Sequence, residues 1–539
     1  MAAAKKLTFP RDVRLRRLIS HGYFPSELPP PFTAEEYAKH STEFATKWKA
    51  ANIFKFWTAP ETYSIPRYGH ARRKLSIVNP INQLQVSLLI ANNWVELKAR
   101  LNRSKTSEFD PTISRIGIAR AVSGVDFDGV ARRRAEILGS YGRYVKTDIA
   151  RFYPSVYTHS IAWAILGKDH CKANFQTPAF KAGFANELDC AVRAGQEGQT
   201  IGIPIGPDSS RIISELIAVE IEEKARSLIV DWDRRGVRYV DDMLIGLQDS
   251  ETASAVLSGL SAALYDFQLD LNGEKTVTIG LGSDHAPEWG NYIRTFEMTT
   301  VIGKQVGDLD SYFAQSLYLA DQNPRESVLL YATKRAATFA IGSGNRAHLV
   351  RWMLYMSRRS PNCLRFVAEH LAATRSNAAY PTSEINDFIL QQIPAKAEAG
   401  HIDELAWLLF WAIEIKLKLP VSILERVLKL RSSVVALLTL DLRQQGLIDG
   451  IPDMSFWQSF ATLEGLKSEM WLLSYEATRK KWWPKSQKTG FITGHQFFGD
   501  IWSKNIEFYN PKRHAKARVN PIFRVKPSAA IAFGSDYQR

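Results

Sequence analysis

The residues Tyr239-Val240-Asp241-Asp242 set two adjacent carboxylates behind an aromatic ring, in a stretch that is otherwise apolar. A third acid, Asp148, closes a stretch of the same kind that begins at Tyr144. Two strands that deliver acids to one point make a pocket for divalent cations, and paired cations serve in-line phosphoryl or nucleotidyl transfer. Over 238–246 the order is apolar strand, acidic tip and returning apolar strand, which reads as a β-hairpin with the acids in its turn. Asp also favours ordinary solvated turns. The motifs around the string decide between these readings.

The elements that must hold the acids lie over 72–300, where β-rich and helical stretches alternate. Segments 73–78, 144–148 and 238–246 predict strands and 210–226 predicts a helix, so the expected fold here is α+β. Beyond 300, apolar residues recur at helical spacing in 345–358, 361–375, 382–393, 402–417, 421–430 and 432–446. Helices of similar length on short links suggest antiparallel pairs stacked as a HEAT-like solenoid. The expected division is a mixed domain over 1–300 and an all-α helical-repeat domain over 301–539.

The chain has 69 Lys and Arg against 55 Asp and Glu, a net charge of +14, which favours polyanionic partners and nucleic acid above others. Segment 479–526 alone holds twelve cations and two acids, with Trp482, Trp483, Phe497, Phe498, Trp502 and Tyr509 among them. That mixture suits single-stranded nucleic acid, with phosphates on the cations and bases on the rings; buried rings under a solvated basic face would look the same. Three cysteines without a Cys-x-x-Cys pair argue against a disulfide framework or a structural zinc, and for a reducing cytoplasm. The N-terminus lacks a signal-peptide core, and the longest apolar run, 405–413, is too short to span a bilayer. A soluble protein with no membrane partner is expected.

The motifs come in an order of their own: Asp148 with Tyr153 five residues on, then Gly202-Ile-Pro-Ile-Gly206, then Tyr239-Val-Asp-Asp242, then Leu271-Asn272 with Lys275-Thr276. In order and spacing this resembles reverse transcriptases over roughly residues 70–300. The resemblance implies a palm in which Asp148, Asp241 and Asp242, with Ile149 beside them, bind Mg²⁺ or Mn²⁺, and a substrate that is a deoxynucleoside triphosphate. Tyr153 stands where the family places a steric gate against the ribose 2′-hydroxyl. Gly202, Pro204 and Gly206 form the loop beneath nucleotide and template, with glycines for close backbone approach and proline for stiffness. Lys275 either donates a proton to leaving pyrophosphate or balances its charge. Arg73 and Lys74 resemble the basic start of a fingers strand that grips phosphate, and Arg72 competes with them.

Two departures narrow the resemblance. Ile205 occupies a position where ordinary reverse transcriptases usually carry Gln, and a helical half replaces ribonuclease H, integrase or endonuclease domains. The combination is similar to bacterial abortive-infection and related antiphage reverse transcriptases, and implies phage defence, homo-oligomers and untemplated DNA synthesis primed from a protein hydroxyl. Tyr537, Tyr509 and the tyrosines of the first 70 residues are candidates for that hydroxyl. An RNA-templated enzyme of a retron or mobile intron is the alternative within enzymes. A nucleic-acid-binding scaffold with an inactive palm is the alternative outside them.

Overall fold

The computed structural model describes residues 10–48, 55–114, 120–248, 252–280, 288–377, 379–484 and 488–516. Its longer strands are β1 (Glu61–Pro66), β2 (Arg72–Ile77), β3 (Arg143–Asp148), β4 (Gly236–Tyr239), β5 (Asp242–Leu247) and β6 (Val277–Gly280), and a two-residue parallel pair, β7 (Leu419–Pro420) and β8 (Ile448–Asp449), lies among the later helices. β3 to β6 form one antiparallel sheet in the order β4-β5-β3-β6, with Asp148 opposite Asp242 in register. Burial along β5 is nearly continuous from Met243 to Leu247, as expected of an inner strand covered on both faces. The 21-residue helix Asp208–Leu228 packs on Ala253–Tyr265 and supplies much of the core beneath the sheet. The fold of this part is α+β.

β1 and β2 make a separate antiparallel hairpin. Its apolar residues Tyr63, Leu75 and Ile77 belong to a core that also takes in residues from Trp289 to Tyr509. Tyr63 donates to Asp403 at 2.8 Å, Arg72 makes a forked pair with Glu404 at 2.9 and 2.6 Å, and Ser432 donates to Glu61 at 2.8 Å. On its other side the Ser76 amide donates to the Ile205 carbonyl at 2.8 Å. The hairpin is thus fastened to both halves of the chain.

Beyond residue 300 the structure is helical. Arg346–Arg359 packs on Asn362–Ala373, and Ile402–Ile415 is packed by Asn362–Ala373, Thr382–Glu398, Ser433–Gln444 and β1. Residues Asp403 to Glu414 are all buried, so the longest apolar run of the sequence is a central helix. Segment 421–430 is a correction to the expected helices: it forms two short 3₁₀ turns, Val421–Leu424 and Val427–Lys429, after Pro420. Among the described residues no helix is long and apolar enough to cross a membrane. The three cysteines are free.

The basic aromatic segment behaves differently from the nucleic-acid reading. Trp482, Trp483, Phe497, Phe498 and Tyr509 are buried, and Trp502 is half-buried against that core. The reason lies at the other end of the chain. Tyr509 bridges to Phe32, the Thr33 amide donates to the Phe508 carbonyl at 2.9 Å, and Trp48 donates to Asp500 at 2.7 Å. The rings close a core between residues 24–48 and 497–510; they are not stacking platforms. The same burial removes Tyr509 as a priming hydroxyl, because it donates to Asp441 at 2.6 Å. Tyr23, Tyr37 and Tyr63 are likewise buried, and Tyr537 and residues 517–526 lie outside the described residues.

Burial pushes the Asp403 carboxyl up to about 7, with the Arg365 charge opposing it. A carboxyl raised in the folded state binds a proton that the unfolded chain has released, so its contribution to stability falls as pH rises from about 4 to about 7. Asp403→Asn, which still accepts from Tyr63, should flatten that part of the pH dependence. Thermal unfolding midpoints of parent and variant at pH 5 and 7.5 check this; parallel shifts in both would count against it.

Candidate active site

β4 and β5 are joined by a two-residue loop, Val240 and Asp241. Val240 has φ +55°, which a β-branched residue adopts only under strain of about 1–3 kcal/mol. What holds it there is Arg238. Its guanidinium donates to the Val240 carbonyl at 2.8 Å, to Glu215 at 2.6 and 2.9 Å and to Glu222 at 2.6 Å. All three side chains are essentially buried, and both glutamates come from the Asp208–Leu228 helix. Ser104 donates to the remaining Glu222 oxygen, and Ser107 donates to the Glu215 Oε1 that also accepts from Arg238. Arg238, Glu215 and Glu222 escaped the sequence reading. Arg238 was visible only as the residue before Tyr239, and nothing in a helical Glu announces a buried one.

The strained turn delivers Asp241 to Asp148. Asp148 is 3% exposed at the end of β3, and its carbonyl accepts from Asn272 at 2.9 Å. The Ile149 amide donates to the Asp241 carbonyl at 3.3 Å, so backbone bonds lock the two acidic strand ends together. Burial first, and then the neighbouring Asp148, push the Asp241 carboxyl up. Burial and Asp241 do the same to Asp242, opposed by Lys275 and Lys146. Lys275 donates to Asp148 Oδ2 at 2.5 Å, and the surrounding carboxylates raise its ammonium against the lowering effect of burial.

This donor set bears directly on whether a metal fits. Oδ1 of Asp148 and Oδ1 of Asp241 are buried with no hydrogen-bond partner, a costly state for carboxylate oxygens. No group of three or more His, Cys, Asp or Glu side chains in ligating arrangement occurs among the described residues. Two carboxylates are nonetheless what Mg²⁺ commonly takes from a protein, water and substrate phosphate completing its octahedron. The residues present fit a hard cation bound together with a phosphate.

The remaining expected residues gather around this point. Tyr153 is buried, its hydroxyl 2.9 Å from Ser214 on the Asp208–Leu228 helix, and burial pushes it up to about 12. Its carbonyl accepts from Ile203 at 3.0 Å, and the Gly202 amide donates to Val156 at 2.7 Å, which lays the glycine loop against the Tyr153 turn. Gly202 has φ +87° and Gly206 φ +125°; a Cβ at Gly206 would lie 2.8 Å from Pro25, so neither position tolerates a side chain. Pro204 between them is half-buried. Ile205 packs against both large cores, which accounts for an apolar residue at that position.

Arg72, Arg73 and Lys74 separate clearly. The Arg72 guanidinium is committed to Glu404 and Ser64. The Arg73 charge is near enough to pull the Asp241 carboxyl down against burial. Lys74 is exposed. A second buried ion pair secures the start of the Asp208–Leu228 helix. Asp208 accepts from Arg120 at 2.8 Å and from the Ala121 and Val122 amides at 2.9 and 3.0 Å. Burial would raise its carboxyl, but Arg120 and Arg211 hold it below the usual range.

No protein-family model matches the sequence, and no curated protein matches it. Among solved structures, the chain is similar to apo telomerase from Candida tropicalis truncated from its C-terminal domain, at 15% identity, 47% coverage of this chain and TM-score 0.29. It spans 57% of that structure's length. The apo telomerase of the same organism matches at 12% identity over 73% of this chain and 77% of its own, with TM-score 0.32. Telomerase from Candida albicans with the TWJ fragment of telomeric RNA matches at 12% identity over 76% of this chain and 69% of its own, with TM-score 0.28. Overlap at this level is too slight to assign the fold.

Arg238→Met leaves Glu215 and Glu222 buried without their cation and should cost about 3–5 kcal/mol of stability. Adding Glu215→Gln and Glu222→Gln should recover part of the loss. Urea unfolding of the three proteins measures it; a single variant as stable as the parent would show that the cluster does not carry the turn.

Proposed function

We propose that this protein is a nucleotidyltransferase of the reverse-transcriptase type that polymerises deoxynucleotides at Asp148 and Asp241. The observation that carries the reading is the pair of buried, unpartnered carboxylate oxygens at the tips of neighbouring strands, with Lys275 and Arg73 beside them. Asp148 and Asp241 would hold Mg²⁺ or Mn²⁺, which when bound lowers the charge on the transferring phosphoryl group and the pKa of the attacking hydroxyl. Asp242 supports that pair from the register position opposite Asp148. Arg73 and Lys275 supply cations for triphosphate and pyrophosphate oxygens. The Tyr153 ring, held by Ser214, is the wall against a 2′-hydroxyl, and the Gly202–Gly206 backbone lies under sugar and base.

Single-stranded DNA or RNA is the partner that this chemistry requires, and the basic excess of the chain favours it. Antiphage defence, homo-oligomers and independence from a template rest on the sequence resemblance, and the solenoid character of the helical half rests on its helical periodicity and short links.

Asp148→Asn or Asp241→Asn should abolish metal-dependent incorporation of labelled deoxynucleotide, a loss of at least about a thousandfold, while the fold survives. Circular dichroism and an incorporation assay on the same preparations test both parts, and near-parental incorporation by either variant would refute the assignment. Tyr153→Ala should shift competition between a deoxynucleotide and its ribonucleotide counterpart toward the ribonucleotide, and Ser214→Ala should do so to a lesser degree. An unchanged ratio in both would make Tyr153 a core residue only.

A further inference from the structure

Of the 14 tryptophans, Trp57 alone among the described residues is exposed, with 60% of its surface in solvent. The other aromatics that the sequence offered for stacking are buried or, at Trp502, half-buried, so this ring stands out by contrast. Its chain neighbours are pinned: the Phe56 carbonyl accepts from Asn82 at 2.8 Å, and further bonds follow the ring. The Thr58 amide donates to Ala194 at 2.9 Å, the Glu197 amide returns a bond to Thr58 at 3.0 Å, and the Ala59 amide donates to Lys467 at 2.9 Å. Thr58 itself is buried, its hydroxyl donating to Asn82 at 2.8 Å. A Cβ at Gly198 would sit 3.5 Å from the indole, so that side of the ring lies along a residue with no side chain.

The mount leads to the candidate active site. Gln196 donates to the Gly202 carbonyl at 2.8 Å, so the turn beneath Trp57 and the glycine loop are one hydrogen-bonded unit. Ile201, the residue before that loop, is 58% exposed. A flat ring and an aliphatic side chain thus stand in solvent beside a loop that lies against the Tyr153 turn.

We infer that Trp57 is a stacking platform for a base of single-stranded nucleic acid that enters or leaves beside the Gly202–Gly206 loop. The inference rests on the polymerase reading above and names the partner of that same site. A rigidly mounted aromatic face suits a base because every base has a π-face and stacking needs no sequence readout. The exposed or partly exposed charges nearby are mixed, Lys55 and Lys467 against Glu197. Stacking therefore carries the affinity at this spot, and phosphate pairing does so elsewhere.

The test uses the full chain and a labelled 20-nucleotide single strand, as DNA and as RNA, without divalent metal or nucleotide. Trp57→Ala should weaken binding of one or both strands by about tenfold, within the range for loss of one stacked base. Trp57→Phe should stay near the parent, and the slope of affinity against salt should be the same in all three, since no phosphate contact is removed. Unchanged binding of both strands by Trp57→Ala, or equal losses in the alanine and phenylalanine variants, overturns the inference. Photocrosslinking of a 5-iodouracil strand to the unmodified protein gives an independent readout: an adduct on the peptide with Trp57 supports the platform, and adducts only elsewhere overturn it. Because binding is read without metal or nucleotide, failure of the polymerase reading appears in synthesis and failure of the platform appears in binding.

Discussion

Arg238 governs the site more than any acid does. Two glutamates buried beneath a sheet demand a cation, and only a guanidinium has enough donors to serve both and still reach a carbonyl. That carbonyl belongs to Val240, the residue whose backbone is strained. Desolvated charge below the sheet is thereby coupled to an unfavourable dihedral above it. Remove the cation and the helix loses its partner while the turn loses its brace. The crowding of Asp148 and Asp241, and the elevated carboxyls that follow from it, presuppose that brace.

A second consequence concerns where the molecule can move. In a polymerase reading, a hairpin such as β1–β2 is the natural element to open and close over a nucleotide. Here Tyr63, Arg72 and Glu61 tie it to buried partners in the helical half, and Ser76 ties it to the glycine loop. Each tie is a hydrogen bond or ion pair in a place with little water, where breaking one side leaves a buried charge or donor unpaired. A preformed site, with Arg73 already near Asp241, agrees with such a strut.

Much of the sheet was legible in the residues. Alternating and apolar runs located β2, β3 and the β4–β5 hairpin to within a residue or two, and Asp208–Leu228 was visible from its helical period. The three acids were singled out by the order and spacing of the motifs around them, since the acidic turn alone reads equally well as a solvated one. What could not be read was which side chain answers which. Arg72, Arg73 and Lys74 are equivalent on paper, and only the nearness of Glu404 commits the first. The basic aromatic segment misled because burial of Trp482, Phe498 and Tyr509 depends on residues 24–48, hundreds of positions away. In place of the helix expected over 421–430, two 3₁₀ turns put Leu424, Val427 and Leu428 into the core.

The joining of residues 24–48 to 497–510 also sets a schedule for the chain's own synthesis. Lys47 leaves the ribosome 453 residues before Asp500, its partner. At ordinary rates of elongation that interval is about 20–90 s. Throughout it, Phe32 lacks Tyr509, Tyr37 lacks Phe508 and Trp48 lacks Phe497. Phe24, which ends against Phe508, waits as well. A chain cut short by damage or early termination never completes the core on which the β1–β2 hairpin sits. The arrangement makes a partly translated copy of the protein unlike the finished one in the core beneath the β1–β2 hairpin.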